Sequence, residues 1–178
     1  MVSNGTRFED GMEFQLGWIW FRVTIDAKGA RVTERRTGAA ALLHVDVCSD
    51  ALRLVGMQQA IVTRFGLEAS PCSCRQSALI VRDLDYCSAT FIDRLAGEMD
   101  DRSGWYIGAH DSKLDVRRPE NLKLVSLWQV LSKRPEIGPY LMLPPQWQVS
   151  FASNPVVMRD REVVTPSSTT GGLLRATG

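Results

Sequence analysis

The residues in this chain whose types and spacing could perform chemistry lie between positions 98 and 111. Glu98, Asp100, Asp101 and Asp111 surround His110, one of only two histidines in the sequence. Carboxylates near a histidine could bind a divalent metal ion or perform general acid–base catalysis. Such catalysis usually needs burial to shift pKa values, and this segment is too polar for deep burial to be expected. An exposed acidic surface that meets another molecule is the alternative.

The cysteines and the local motifs offer little support for catalysis. Cys72 and Cys74 form a single C-x-C pair, whereas structural zinc sites usually contain two paired knuckles. The sequence has no glycine-rich phosphate loop, no nucleophile elbow and no H-E-x-x-H motif. It therefore predicts no catalytic residue, no metal site and no cofactor. The enzyme alternative is a metal-dependent hydrolase that uses His110 and the neighbouring carboxylates.

Two aromatic residues stand among the acidic side chains. Trp105 and Tyr106 are adjacent on a predicted strand, so their side chains must point to opposite faces. One of them is expected to pack inward, and the other to stand among acids, a composition typical of a protein–protein interface. Alternation alone leaves open which of the two is exposed.

The elements before this region form a first unit. Residues 14–25 are dense in aromatic and β-branched residues and predict a strand, which a turn and two further strands follow. A helix is predicted over about 50–65, because apolar residues recur there at helical spacing. Ser49 and Asp50 suit its start, and Gly66 suits its end.

A second unit follows a polar connector. It begins with a predicted strand at 78–84, whose expected hairpin partner lies at 89–95. The aromatic strand comes next. Residues 122–134 are predicted to begin as strand and become helix, and a last strand is predicted at 147–151.

The predicted fold class is α+β, with two small mixed domains, each a mainly antiparallel sheet with one or two helices. The N-terminal domain would cover residues 1–74 and the second domain residues 75–154. Residues 155–178 would form a polar C-terminal tail.

The composition limits the functional classes. Hydrophobic residues make up 44% and charged residues 23% of the 178 positions, which argues against wholesale disorder. A net charge of +1 argues against a protein that mainly grips the nucleic acid backbone. Residues 83–111 hold seven acidic and two basic side chains. Such a segment is either a solvated face or a patch that steers a basic partner.

The chain is predicted to be cytoplasmic and to make no contact with a membrane. No apolar run approaches the roughly 20 residues that a membrane span needs. The polar N-terminal segment lacks the pattern of a signal peptide. The four cysteines are therefore expected to be reduced thiols.

Four motifs follow one another in the second unit. They are the corner Asp101-Arg-Ser-Gly-Trp105, the strand Tyr106-Ile-Gly108, the turn Pro119-Glu-Asn121 and the closing strand that ends at Phe151. Together they resemble immunity protein family 33 of bacterial polymorphic toxin systems, over about residues 75–152. Arg102 interrupts the family's usual order of aspartate, serine, glycine and tryptophan. The acidic run that follows the glycine in the family is reduced here to Ala-His110-Asp111.

The resemblance implies an antitoxin that has no catalytic activity and binds a cognate toxin in the cytoplasm of the producing cell. With its added N-terminal unit, the chain is similar to an immunity protein paired with a nuclease effector of the type VI secretion system. The surroundings of a nuclease active site are basic because the enzyme must attract phosphate, so an acidic surface could occlude them. The predicted partner-binding residues are Glu98, Asp100, Asp101, Trp105, Tyr106, His110 and Asp111. No direct contact with nucleic acid is expected, and exposed strand edges would allow a homodimer.

Overall fold

A computed structural model describes residues 7–16, 18–35, 44–45, 49–96 and 102–166 of the chain. Within these residues, two β-sheets, two α-helices and short 3-10 helices form an α+β fold, which confirms the predicted class.

The first sheet has four strands in the order β1-β2-β3-β4, with antiparallel neighbours throughout. The strands are β1 Glu13–Leu16, β2 Ile19–Asp26, β3 Gly29–Arg35 and β4 His44–Val45. The prediction of one continuous strand over 14–25 is wrong, because the chain reverses between Leu16 and Ile19, the last pair of a hairpin. Both strands are rich in aromatic and β-branched residues and only two residues separate them, so the strand signal runs on across the turn.

Helix α1 spans Ser49–Arg64 and confirms the predicted helix. Gly66 follows it with a φ of 67°, the left-handed conformation that commonly ends helices. In the first turn, the Ala51 N–H donates a hydrogen bond to the Glu34 carboxylate of β3 at 3.2 Å. This contact ties the start of the helix to the first sheet.

The second sheet has seven strands in the order β11-β10-β9-β6-β7-β5-β8. They are β5 Ser77–Val81, β6 Thr90–Arg94, β7 Arg102–Ala109, β8 Leu122–Ser126, β9 Trp147–Ser150, β10 Val156–Arg159 and β11 Glu162–Val163. Neighbours are antiparallel, except that β5 and β7 are parallel. The predicted hairpin between β5 and β6 is wrong, because β7 lies between them and pairs with both. The connection at 82–89, which includes a 3-10 helix, is long enough to carry the chain past the position that β7 occupies.

Strand β8 passes directly into helix α2, Leu127–Lys133, as the sequence predicts. Ser126 and Gln129 form a capping box, in which each side chain bonds to the other residue's backbone N–H. A 3-10 helix at Pro135–Tyr140 follows. Neither α-helix of the described chain combines the length and the apolar character needed to cross a bilayer.

One hydrophobic core joins the two sheets and the helices. It contains Trp18 and Phe21 from the first sheet region, Val62 from α1, and Ile92 and Trp105 from the second sheet. The second sheet therefore has an inner face, which packs on this core, and an outer face.

The domain boundaries at residues 74 and 154 stay a prediction. Near the first, the Cys74 N–H donates to the Trp18 carbonyl at 2.7 Å, and the Trp20 indole donates to Ser73 Oγ at 2.9 Å. Beyond the second, β10 and β11 continue the sheet as far as Val163.

Candidate partner-binding site

Strand β7 places its two adjacent aromatic residues on opposite faces of the second sheet. Trp105 and Ile107 point to the inner face and are 1% and 0% exposed. Tyr106 points to the outer face and is half-buried. Asp93 of β6 is the cross-strand partner of Tyr106, so it shares the outer face, and alternation along β6 places Phe91 there as well.

Trp105 is a core residue, which corrects its prediction as a partner-binding residue. Its indole N–H donates to the Leu141 carbonyl at 3.4 Å, and the Arg94 guanidinium lies 5.2 Å from the ring centroid. Arg94 is itself buried and donates to the carbonyls of Ser70 and Leu141. The ring is therefore enclosed by the fold and not available to another molecule.

The Ser-Gly-Trp corner bends β7. Gly104 has a φ of 75°, where residues with a side chain are strained, and the register between β5 and β7 shifts at this point. Ser103 Oγ donates to the Ser77 carbonyl of β5 at 2.9 Å and accepts from the Trp105 N–H at 3.2 Å. The corner motif that carries the family resemblance thus turns Trp105 into the core.

Phe91, Tyr106 and His110 form an outer aromatic cluster. The Phe91 ring lies directly over Gly108, because a Cβ at that glycine would come within 2.4 Å of the ring. The centroid of the ring is 5.8 Å from that of Tyr106 and 4.9 Å from that of His110. His110 Nε2 lies 3.0 Å from Ser150 Oγ of β9. Two predicted binding residues, Tyr106 and His110, therefore come together around Phe91, which was not among the residues predicted from the sequence.

Asp93 supplies negative charge beside the outer aromatic cluster. Its carboxylate accepts a hydrogen bond from Gln148 Nε2 of β9 at 2.8 Å, which holds it in place. Burial, and then the charges of Asp83 and Asp93, raise the pKa of the Tyr106 phenol, so the hydroxyl stays protonated. This hydroxyl is buried and has no hydrogen-bond partner among the described residues. Apolar rings next to a carboxylate are a composition suited to an interface hot spot.

Asp111 braces a loop next to the cluster. Its carboxylate accepts hydrogen bonds from the Ser88 N–H at 2.8 Å, the Ser88 hydroxyl at 2.9 Å and the Ala89 N–H at 3.2 Å. These bonds lower the pKa of Asp111 to about 2. The side chain therefore stays charged and fixes the β5–β6 connection against the end of β7.

The other three predicted acids, Glu98, Asp100 and Asp101, lie outside the described residues, so their part in the site stays a prediction. They belong to the segment 97–101, which lies in the sequence between Ala96, just after β6, and Arg102 at the start of β7. The ends of this segment are close together, because the Leu95 N–H donates to the Gly104 carbonyl at 2.9 Å.

The geometry gives the metal-dependent hydrolase no support. The part of the chain that the structure describes contains no group of three or more histidine, cysteine, aspartate or glutamate side chains that could hold a metal ion. His110 contacts Phe91 and Ser150, and the Asp111 carboxylate is occupied by Ser88 and Ala89.

Three cysteines lie within the described residues, and all three are buried and form no disulfide bond with one another; they are Cys72, Cys74 and Cys87. Burial raises the pKa of the Cys72 thiol to about 11, so it remains protonated at neutral pH. Cys48 lies outside the described residues. Protonated, buried thiols are poor nucleophiles and poor metal ligands.

A family model described as the Imm33-like domain matches residues 57–160, more than half of the chain. The match begins inside α1 and ends in the turn between β10 and β11, so it contains every strand of the second sheet except β11. No curated protein and no solved structure shows a significant match to the chain. The family match contains the corner motif, the outer aromatic cluster and Asp93. The chain belongs to the Imm33-like family of immunity proteins.

Proposed function

We propose that the protein neutralises a cognate toxin by binding it, without catalysis of its own, through the outer face of the second sheet. The observation that carries this proposal is the outer aromatic cluster with Asp93 beside it. Phe91 and Tyr106 are large, partly exposed side chains on the outer face, and membership of an immunity family implies a toxin as the partner.

The apolar character of the outer face extends beyond the cluster. By cross-strand register, Leu79 and Leu124 lie on the same face on one side of β7, and Val156 and Met158 lie there on the other. Leu124 is 48% exposed and Val156 36%. The stretch from Leu124 through its cross-strand partner Leu79 to Tyr106 is continuous, and a partly exposed apolar stretch of this kind is typical of an interaction site on a soluble protein. A stable complex buries on the order of 1,600 Å² in total, so the loops at the strand ends would contribute as well.

We further propose that the toxin is a nuclease effector of the type VI secretion system and that the complex forms in the cytoplasm of the producing cell. A nuclease surface is basic because it attracts phosphate. Asp93 on the outer face meets that charge directly. The acidic segment with Glu98, Asp100 and Asp101 would accelerate association from longer range.

The experiment that tests this proposal is co-purification with the toxin encoded beside the gene, followed by a nuclease assay of the complex. Tyr106→Ala and Asp93→Lys are each expected to weaken binding by about 10- to 100-fold, as for residues at the centre of an interface. Tyr86→Ala is the matched control, because Tyr86 is a tyrosine that is 92% exposed and lies in the 3-10 helix between β5 and β6.

The outcomes separate the parts of the proposal. A complex that forms and suppresses DNA or RNA cleavage supports both the immunity function and the nuclease nature of the toxin. A complex with a toxin that cleaves no nucleic acid keeps the immunity function and rejects the nuclease. Unchanged affinity of both outer-face variants would show that the toxin binds elsewhere on the molecule.

A further inference from the structure

Strand β8 forms one of the two edges of the second sheet, and no other strand of the described residues pairs with its outer side. It pairs with β5 along its whole length, from Leu122 opposite Val81 to Ser126 opposite Ser77. Among the described residues, no backbone hydrogen bond reaches its other side. In an antiparallel pair, alternate residues of an edge strand direct their N–H and C=O groups away from the sheet. Such an edge can template a further strand.

A cavity of about 250 Å³ lies beside this edge, on the inner side of the sheet. Apolar side chains line part of it, among them Ile80, Val125 and Val130. A strand added to β8 would direct every second side chain towards this cavity.

The charged groups of the cavity are predominantly positive. Lys123, Lys133 and Arg134 line it together with a single acid, Asp85. Lys133 is paired with Asp85, and Arg134 donates hydrogen bonds to the carbonyls of Leu84 and Cys87. Lys123 forms no ion pair within the described residues, although its charge helps to lower the pKa of Asp85. Among the described residues, the edge strand therefore carries one positive charge, that of Lys123, without an ion-pair partner.

The same lysine disfavours self-pairing of β8. Two copies paired antiparallel about Leu124 would place both Lys123 side chains on the same face, diagonally across the new pair. A lysine in an edge strand is a common protection against pairing with an identical edge. An acidic side chain opposite Lys123 would remove the penalty.

We propose that β8 receives an extended segment of a protein partner that carries an acidic side chain opposite Lys123 and apolar side chains next to the cavity. The backbone of that segment would continue the sheet, and the charge would select it. This surface is separate from the outer aromatic cluster, and the inference does not depend on the identity of the toxin.

The test uses the whole protein and labelled synthetic peptides, read by fluorescence anisotropy. The probe is the seven-residue peptide Thr-Val-Thr-Glu-Thr-Val-Thr, whose glutamate and two valines lie on the same face of an added strand. Its controls are the same peptide with lysine in place of glutamate and the glutamate peptide with N-methylated backbone amides. The glutamate peptide is expected to bind and to shift the backbone amide NMR signals of residues 122–126, whereas neither control binds.

Charge reversal makes the test specific. Lys123→Glu is expected to weaken binding of the glutamate peptide at least about tenfold and to make the lysine peptide the better ligand. Lys133→Glu, which leaves the edge strand intact, should weaken binding of the glutamate peptide less. The melting temperature of each variant serves as the check on folding.

Several outcomes would overturn the proposal. They are absence of binding to the wild-type protein, equal binding of the two charged peptides, and binding of the N-methylated peptide. A dimer of the protein alone, with the amides of 122–126 protected from exchange, would show that a second copy occupies the edge instead.

Discussion

The inner and outer faces of the second sheet use neighbouring positions of the same strands for different purposes. On the inner face, Ile92 and Ile107 are a cross-strand pair and both are 0% exposed. One residue further along β6 and one back along β7, Asp93 and Tyr106 are a cross-strand pair on the outer face and remain partly exposed. The inner pair removes apolar surface from water, which stabilises the fold. The outer pair leaves aromatic surface and charge where another molecule can reach them.

Trp105 and Tyr106 show what this difference teaches. The two residues are adjacent and similar in type, yet only the tyrosine is placed to contact a partner. A composition that looks like a single aromatic interface motif in the sequence is divided by the sheet into a core anchor and a surface group. Substitutions on the two faces should therefore separate stability from binding.

The largest expected effect is on the inner face. Trp105→Ala should lower the free energy of unfolding by about 3–5 kcal/mol, because it leaves a cavity and removes a hydrogen bond to Leu141. Urea denaturation measures it, with Tyr106→Ala as the control from the other face. Tyr106→Ala should cost clearly less stability while it weakens toxin binding. Equal stability losses from the two variants would remove the distinction between the faces.

The next largest effect on stability tests the contact between the Phe91 ring of the outer aromatic cluster and Gly108. Gly108→Ala should lower the free energy of unfolding by about 1–3 kcal/mol, because the new Cβ would lie 2.4 Å from the Phe91 ring. In a Phe91→Ala background the same change should cost much less, so the double-mutant cycle should be strongly non-additive. Denaturation of the four proteins supplies the measurement. An additive cycle would mean that the ring does not rest on the glycine.

The hydrogen bonds that the Asp111 carboxylate accepts at the end of β7 should make the stability of the protein depend on pH. The pKa of Asp111 lies below its ordinary value of 3.8, so its ionised form stabilises the fold. That contribution is fully present above the ordinary value and is lost as the pH falls towards 2. Wild type should therefore melt at a higher temperature than Asp111→Asn at pH 7, and the gap should close between about pH 4 and pH 2. A difference in melting temperature that persists at pH 2 would contradict a stabilising role of the ionised Asp111 carboxylate. Asp115→Asn is the control, because Asp115 lies in another exposed turn.

The smallest effect concerns the hairpin between β10 and β11. Asp160 and Arg161 both have positive φ, 50° and 70°, in a two-residue turn where asparagine and glycine are preferred. Replacing them by Asn and Gly should raise the free energy of unfolding by about 1 kcal/mol. Thermal melting measures the gain. Toxin affinity should not change, and a loss of affinity would extend the binding surface to this turn.

Local signals in the sequence were sufficient to predict the elements whose ends are set by residues close to them in the chain. Gly66 follows the end of helix α1 at Arg64, and the passage from β8 to α2 is fixed by the Ser126 capping box. The insertion of β7 between β5 and β6 was not predictable in this way, because the pairing of parallel strands depends on the whole sheet and not on a turn. The hairpin at Leu16 and Ile19 was hidden by the continuous strand composition around it.

The candidate site was predicted in part for a related reason. Tyr106 and His110 were identified because they stand among acids, and alternation required Trp105 and Tyr106 to face opposite ways. Which one faces the core depends on the bulge at Gly104, a feature of the pairing with β5. Phe91 and Asp93 were missed as site residues, although the alternation of the segment TFIDR already separates them from Thr90, Ile92 and Arg94.

The strand order also determines when the second sheet can form during synthesis. The neighbours of β5 are β7 and β8, and those of β6 are β7 and β9, so every partner of these two strands is made after them. Until the ribosome has released β7, neither β5 nor β6 of a nascent chain therefore has its neighbouring strand to pair with. The emergence of β7 supplies a partner for both strands, and all later strands add outward from that centre. On the ribosome, the end of β7 at Ala109 marks the earliest length of chain at which the whole centre of the second sheet can exist.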